Sequence, residues 1–311
     1  MKKVVLCLVT LGIPFMAVVG LADQAQNFQS RISLVLAGGP GYCTYGDIGT
    51  SLRDIDAVLI SGDFRGYSKE HLSGLDGWGI GWEAEARFRI IRRFSLGLAV
   101  SSPLHLSPES RVPLYSLFTD PSGSEAGSFI CIPDVRMRPP IRLSAYYSVP
   151  LKSNLSLIIG AGVGTYSGRM SESIDYELAD SSGTVWYRSN WSAARKSTIG
   201  IHGTLGAEYG ISSRVALIAN LSYRHAKIAG FSAEMSAESN LWTWDRNYDP
   251  QGVLWAWSWG EDGPMGIGYQ ELIVWSGTPP NHGPRGGGPI RPGVLDLSGF
   301  SMSLGLKIAV F

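Results

Sequence analysis

Between Trp78 and Ile90 the chain alternates without a miss. Trp78, Ile80, Trp82, Ala84, Ala86, Phe88 and Ile90 fall on one phase; Gly79, Gly81, Glu83, Glu85, Arg87 and Arg89 fall on the other. A period of two means an extended strand, because successive side chains point to opposite faces of a sheet. The charged phase is too ionic for the core of a water-soluble sandwich, and the apolar phase is too long and aromatic to be left in water. Lipid on one side and a polar lumen on the other satisfy both faces, which is the pattern of a transmembrane β-barrel strand.

Seven further segments share the rhythm: Ile32 to about Tyr42, Phe94 to Ser101, Ile141 to Val149, Leu155 to Gly164, Ile199 to Tyr209, Val215 to Arg224 and Phe300 to Val310. A tilted strand needs about 9–11 residues to cross a bilayer, which these segments supply or approach. Short links at Ile91-Arg92-Arg93, Pro150 to Asn154 and Ser212-Ser213-Arg214 alternate with long ones at about 43–77, 102–138, 167–196 and 229–297. Outer-membrane barrels have short periplasmic turns and long external loops, so both ends of the chain are expected in the periplasm. The expected fold is all-β: an antiparallel up-and-down transmembrane barrel of eight strands. Leu241 to Trp244 and Val253 to Trp259 form a further candidate hairpin that would raise the count to ten. A lipocalin-like barrel would invert the pattern, with an apolar lumen and a polar exterior. Here the apolar phase carries aromatics near strand ends, at Trp78, Phe94, Tyr147, Tyr209, Tyr223 and Phe300, as interfacial girdles require.

Lys plus Arg and Asp plus Glu both number 26, so the electrostatic footprint of a nucleic-acid binder is missing. Residues 1–22 read as a cleaved signal peptide: Lys2 and Lys3, an apolar stretch from Val4 to Val19, then small residues around Ala22. The mature domain is expected to span residues 23–311. Export leaves Cys43 and Cys131 in an oxidising compartment, where they either form one disulfide or remain two thiols; spacing does not decide between these.

With these features the chain resembles the small eight-stranded outer-membrane barrels, the class of the OmpA transmembrane domain, OmpX and OmpW, over roughly residues 31–311. The resemblance rests on the signal peptide, the strand rhythm, the loop asymmetry and a C-terminal strand, Phe300 to Phe311, that ends on an aromatic. It implies residence as a monomer among the lipids of the outer membrane of a diderm bacterium. It also implies the barrel assembly machinery as a partner, since in that family the machinery reads the last strand and its terminal aromatic. One departure is that Phe311 falls on the lumen phase with Lys307 and Ala309, whereas the family keeps it with the lipid-facing residues.

Eight strands leave an interior that side chains can fill. The expected lumen network is Glu83, Glu85, Arg87, Arg89, Arg142, His202, Glu208, Arg224 and Lys307, with Tyr146 and Asn220 beside it. Buried charge is tolerable only when paired, so the network is expected to act as a plug, with Glu208 serving Arg87 or Arg89, and Arg142 or Arg224 serving Glu83 or Glu85. A narrow porin-like conduit for small or hydrophobic molecules is the competing reading. A membrane-embedded lipid-modifying enzyme would need a serine and histidine in reach of each other and an orienting group. No G-x-S-x-G or H-E-x-x-H sequence is present, and catalytic, cofactor and metal sites are not expected.

The loops carry the stronger recognition signal. Trp242, Trp244, Trp255, Trp257, Trp259 and Trp275 precede a Pro/Gly-rich stretch, and indoles spaced two apart share one face of an extended segment. Such platforms bind apolar surfaces, sugars or partner proteins, or pack on one another over the barrel mouth. In the first long loop Ile48, Leu52, Ile55 and Leu59 recur at helical spacing, predicting an amphipathic helix over Ile48 to Ile60, across the mouth or in the interface. The expected activity is therefore structural or recognitional. Heat-modifiable gel migration checks the architecture: unboiled protein is expected to run apart from boiled protein, and identical migration counts against a barrel.

Overall fold

The computed structural model describes residues 31–51, 53–54, 77–102, 118–119, 126–180, 183–240, 247–248, 251–258, 270–276 and 290–310. Eight strands form the barrel: β1 (Ile32–Tyr42), β2 (Trp78–Ile91), β3 (Phe94–Ser101), β4 (Ile141–Lys152), β5 (Leu155–Asp180), β6 (Lys196–Gly210), β7 (Val215–His225) and β8 (Gly299–Ala309). Each pairs antiparallel with the next in sequence, and β1 closes on β8 through Ser33↔Ala309 to Gly41↔Ser301. No barrel edge is left, which removes the row of unpaired N–H and C=O groups that lipid could not solvate.

The two phases lie where the alternation puts them. Ile80, Ile199 and Leu304 are 80%, 75% and 72% exposed, whereas Glu85 and Arg87 are 3% and 5% exposed. Exposed large apolar side chains recur on every barrel strand, far beyond the patch a water-soluble surface carries, so this belt faces lipid. Aromatics mark its rim at the long-loop end, called the outer end below. There Tyr42, Trp78 and Phe300 form a cluster with ring centroids 5.4–5.7 Å apart. At the turn end Phe94 and Tyr147 are cross-strand partners, as are Leu155 and Tyr209.

Beyond the belt the structure departs from the expectation of loops at 102–138, 167–196 and 229–297. β5 does not stop near Gly164 but runs on to Asp180, where Asp180↔Gly183 begins a tight hairpin back along Gly183–Ala193. The Ala126–Met137 strand pairs with the other edge of this extension. Ser232–Ser239 then pairs with Gly183–Ala193, Gln251–Ser258 with Ser232–Ser239, and Gln270–Trp275 with Gln251–Ser258. Of the candidate extra hairpin, Leu241 to Trp244 and Trp259 lie outside the described residues; Gln251–Ser258 belongs to this outer sheet and not to the barrel, which has eight strands.

The outer sheet has a core of its own. Tyr166 and Met170, on the phase that faces the lumen lower down β5, join Tyr45, Ile48, Trp191, Ile228, Phe231, Leu254 and Leu295 in one buried cluster. A two-stranded ribbon, Lys227–Ala229 with Val294–Asp296, supplies Ile228 and Leu295. Helical backbone begins at Asp47, but Ile48 is wholly buried in this core and does not lie at the membrane interface. Asp47 fixes the helix: its carboxylate accepts from both Arg291 guanidinium nitrogens at 2.6 and 2.5 Å and from Val294 N–H at 2.7 Å. Leu52, Ile55, Leu59, residues 1–22, on which the expected signal peptide falls, and Phe311 lie outside the described residues.

The disulfide alternative does not hold. Cys43 is a free, buried thiol whose Sγ donates to the Asp296 carbonyl at 3.6 Å. Burial pushes this thiol up from its ordinary range, and the nearby Arg224 charge only partly offsets that. A protonated, enclosed thiol is a poor nucleophile. In folded protein prepared without residues 1–22 and with Cys131→Ser, Cys43 is therefore expected to resist maleimide at neutral pH and to be modified once the protein is boiled. Fast labelling of the folded form would contradict this placement.

Candidate functional site

Two regions bring chemistry-bearing side chains together: the lumen and the outer sheet. In the lumen, Arg87 and Glu85 on β2 pair at 2.7 Å, and the Arg87 guanidinium sits 4.0 Å above the centre of the Tyr146 ring. Arg142 on β4 reaches across β3 to pair with Glu83 on β2. Lys307 on β8 reaches across β7 to Glu208 on β6, with both carboxylate oxygens at 2.8 and 3.0 Å. Glycine makes room for these groups. A methyl at Gly160 would lie 2.5 Å from the Tyr146 ring, and one at Gly162 would lie 2.8 Å from the His202 ring.

The expected partners were right for Arg142 with Glu83 and need correcting elsewhere. The direct ion pair of Glu208 is with Lys307, Arg87 feeling it only as a more distant charge, and Glu85 is served by Arg87 from its own strand. Arg89 is half-buried near the turn end, where it lines a cavity of about 70 Å³ with Arg92, Arg93, Tyr146, Glu208 and Lys307. Arg224 leaves the network: its Nε donates to the Leu297 carbonyl at 2.6 Å, tying the outer end of β7 to the segment before β8. Glu85 Oε1, Arg87 Nε, Arg142 Nε and His202 Nδ1 are buried with no hydrogen-bond partner among the described residues.

Sequence reasoning missed two serine–histidine contacts. Ser144 Oγ lies 2.8 Å from His202 Nε2 in the lumen, and Ser298 Oγ lies 3.0 Å from His225 Nδ1 in the outer core. Neither pair has an acid orienting the imidazole among the described residues. His202 Nδ1 is unpartnered, and the Asp296 carboxylate near the second pair accepts from Ser298 N–H at 2.8 Å instead. Ser222, three residues before His225, pairs with Thr204 at 3.0 Å.

In the outer sheet Leu254 and Ala256 point into the core, so Val253, Trp255 and Trp257 share the opposite face. Trp275 and Ile273, the cross-strand partners of Val253 and Trp255, complete an apolar patch, with the Trp257 and Trp275 rings 5.9 Å apart. These indoles are half-buried. Trp242, Trp244 and Trp259 lie outside the described residues.

Closure in eight strands, a lipid-facing apolar belt and a charged lumen define the class: an eight-stranded outer-membrane β-barrel. No protein-family profile and no curated protein sequence matches the chain. Among solved structures it is similar to Neisserial surface protein A at 10% identity and a TM-score of 0.34, over 90% of this chain and 96% of that one. It is also similar to CarO of Acinetobacter baumannii at 7% identity and a TM-score of 0.29, over 92% of this chain and 100% of that one. At such scores the class rests on the barrel's closure and its belt, and the likeness carries no part of the argument.

The Glu208–Lys307 pair gives a direct check on the lumen. Both side chains are largely buried, at 12% and 15% exposure. Removing one partner of a buried pair costs about 3–5 kcal/mol, because the remaining charge is left uncompensated. Lys307→Met is expected to destabilise the refolded barrel by about that amount, and Lys307→Met with Glu208→Gln to recover most of it. Urea unfolding in detergent, read from the folded and unfolded gel bands, measures both; additive losses would mean the two residues are not coupled.

Proposed function

We propose that this protein is a closed outer-membrane barrel that acts by presentation, holding its outer sheet at the cell surface as a recognition surface while its lumen carries no solute path. The observation that carries this reading is the cross-braced lumen. Glu83–Arg142 and Glu208–Lys307 each bridge strands that are not neighbours, and Arg87 stacked on Tyr146 narrows the space beside them. Charge that spans a lumen in pairs obstructs a water path and is costly to disrupt, whereas a conducting pore needs groups that release what they bind. The apolar core around Tyr166, Met170 and Phe231 continues the lumen-facing side above this network and supports the same reading. The half-buried Trp255, Trp257 and Trp275 face supplies a rigid aromatic surface suited to a sugar or a partner protein.

Planar bilayer recording tests the proposal. Refolded protein is expected to be silent, and Arg87→Ser with Tyr146→Ala to introduce discrete steps by clearing the brace. Reproducible channel steps from the unmodified protein would overturn it in favour of a narrow conduit.

A further inference from the structure

Just beyond the lipid belt, three adjacent strands present arginine on the outward face. Arg136 on Ala126–Met137 is the cross-strand partner of Arg169 on β5, and Arg138 continues that edge, its N–H bonded to the Ser167 carbonyl at 2.9 Å. On the other side of β5 the ladder with β6 ends at Gly168↔Lys196, which leaves Arg169 and Arg195 on the next rung. All four guanidinium-bearing residues are exposed. They share the phase that carries Val163 and Ile199 in the belt, since Arg169 follows Val163 by Thr165 and Ser167, and Arg195 precedes Ile199 by Ser197. Arg195 lies about 13 Å along the chain, at about 3.3 Å per residue, beyond Ile199 at the outer rim of the belt, and less than that along the membrane normal because barrel strands tilt, which puts it at headgroup level.

The arrangement is unfavourable without an anion. Like charges directly opposite each other destabilise a sheet, and Arg136–Arg169 is such a pair. Asp134 offsets Arg136 at 2.8 Å, and Glu234 stands at the far side of the same groove, hydrogen-bonded to Ser192. Among the described residues Arg138, Arg169 and Arg195 have no acidic partner, and Arg138 and Arg169 help hold Arg195 below its ordinary range, after partial burial. Arg136, Arg169 and Arg195 line a groove of about 720 Å³, a shallow concavity on the outward face between β5, Gly183–Ala193 and Ser232–Ser239, and Arg138 stands just outside it.

We propose that Arg136, Arg138, Arg169 and Arg195 form a docking site for the phosphate groups of a phosphorylated lipid seated in the outer leaflet against the barrel. Guanidinium forks match phosphate oxygens bidentately, and acyl chains below the headgroup meet the belt at Ile141, Val163 and Ile199, all exposed. Position and charge together select a membrane lipid over a dissolved anion: the apolar contact is available only to a molecule anchored beside the strands.

The test uses full-length mature protein refolded in neutral detergent, probed with bisphosphorylated lipid A, its dephosphorylated form and inorganic phosphate. Native mass spectrometry counts the retained adducts. The unmodified protein is expected to retain the bisphosphorylated lipid at least tenfold better than the dephosphorylated one. Arg169→Ser with Arg195→Ser should abolish that preference while gel heat-modifiability is kept. Arg188→Ser, far out on Gly183–Ala193 and paired with Asp175, should leave it intact. Equal retention by the double variant, an equal loss with Arg188→Ser, or displacement of the lipid by inorganic phosphate at matched concentration would each overturn the proposal. If the double variant fails to refold, Arg169→Lys with Arg195→Lys keeps the charge but not the fork and is expected to weaken retention several-fold; unchanged retention there would also overturn it.

Discussion

Everything in this protein depends on the pairing of its first strand with its last. A backbone in lipid must satisfy each N–H and C=O internally, and a sheet does so only by closing. The β1–β8 ladder, from Ser33↔Ala309 to Gly41↔Ser301, is that closure. Once eight strands close, the radius is set, and with it the requirement that the interior be filled by side chains. Bulky groups then need small ones opposite, which is why Gly160 backs Tyr146 and Gly162 backs His202. The same requirement places charge in an enclosed space and obliges it to pair.

The barrel was legible because lipid and lumen differ so sharply that the alternation on β2 admits one arrangement. The outer sheet was not, and the reason is also on the strands. On β5 the apolar phase is Leu155, Leu157, Ile159, Ala161 and Val163 as far as the belt reaches. It then switches to Tyr166 and Met170, while Ser167, Arg169 and Ser171 take over the outward side. A strand leaving lipid exchanges an apolar environment outside for water and a polar lumen for an apolar core, so its hydrophobic phase inverts. Read without that inversion, the pattern after Gly164 looks like a loss of rhythm and hence a loop. The inversion itself marks where the chain passes out of the bilayer.

The inward phase of each barrel strand was legible for the same reason as the barrel, but partnership was not, and Arg224 on that phase bonds the Leu297 carbonyl instead of joining the network. Which charges lie at one level depends on the stagger between strands, and stagger is a property of the closed barrel and not of any one segment. Glu208 faces Lys307 because β6, β7 and β8 are offset so that Ile218 opposes Glu208 and Ala216 opposes Lys307. Ser144 meets His202 on a single rung across β5, whose Gly162 is the partner of both. No spacing in the sequence encodes either meeting.

β5 belongs to two environments at once, and this limits what the molecule can do. Its lower half holds the barrel between β4 and β6; its upper half holds the outer sheet between Ala126–Met137 and Gly183–Ala193. Tyr166 stands at the junction, and Arg224 and the Asp47–Arg291 contact tie the remaining segments to the same core. A sheet continuous across the boundary, packed against a dense core, resists a hinge there, because interiors at native density transmit strain instead of absorbing it. Binding at the outer surface would therefore act on the stability of the whole barrel, and a gate that swung the outer sheet away from the lumen would first have to break β5 itself.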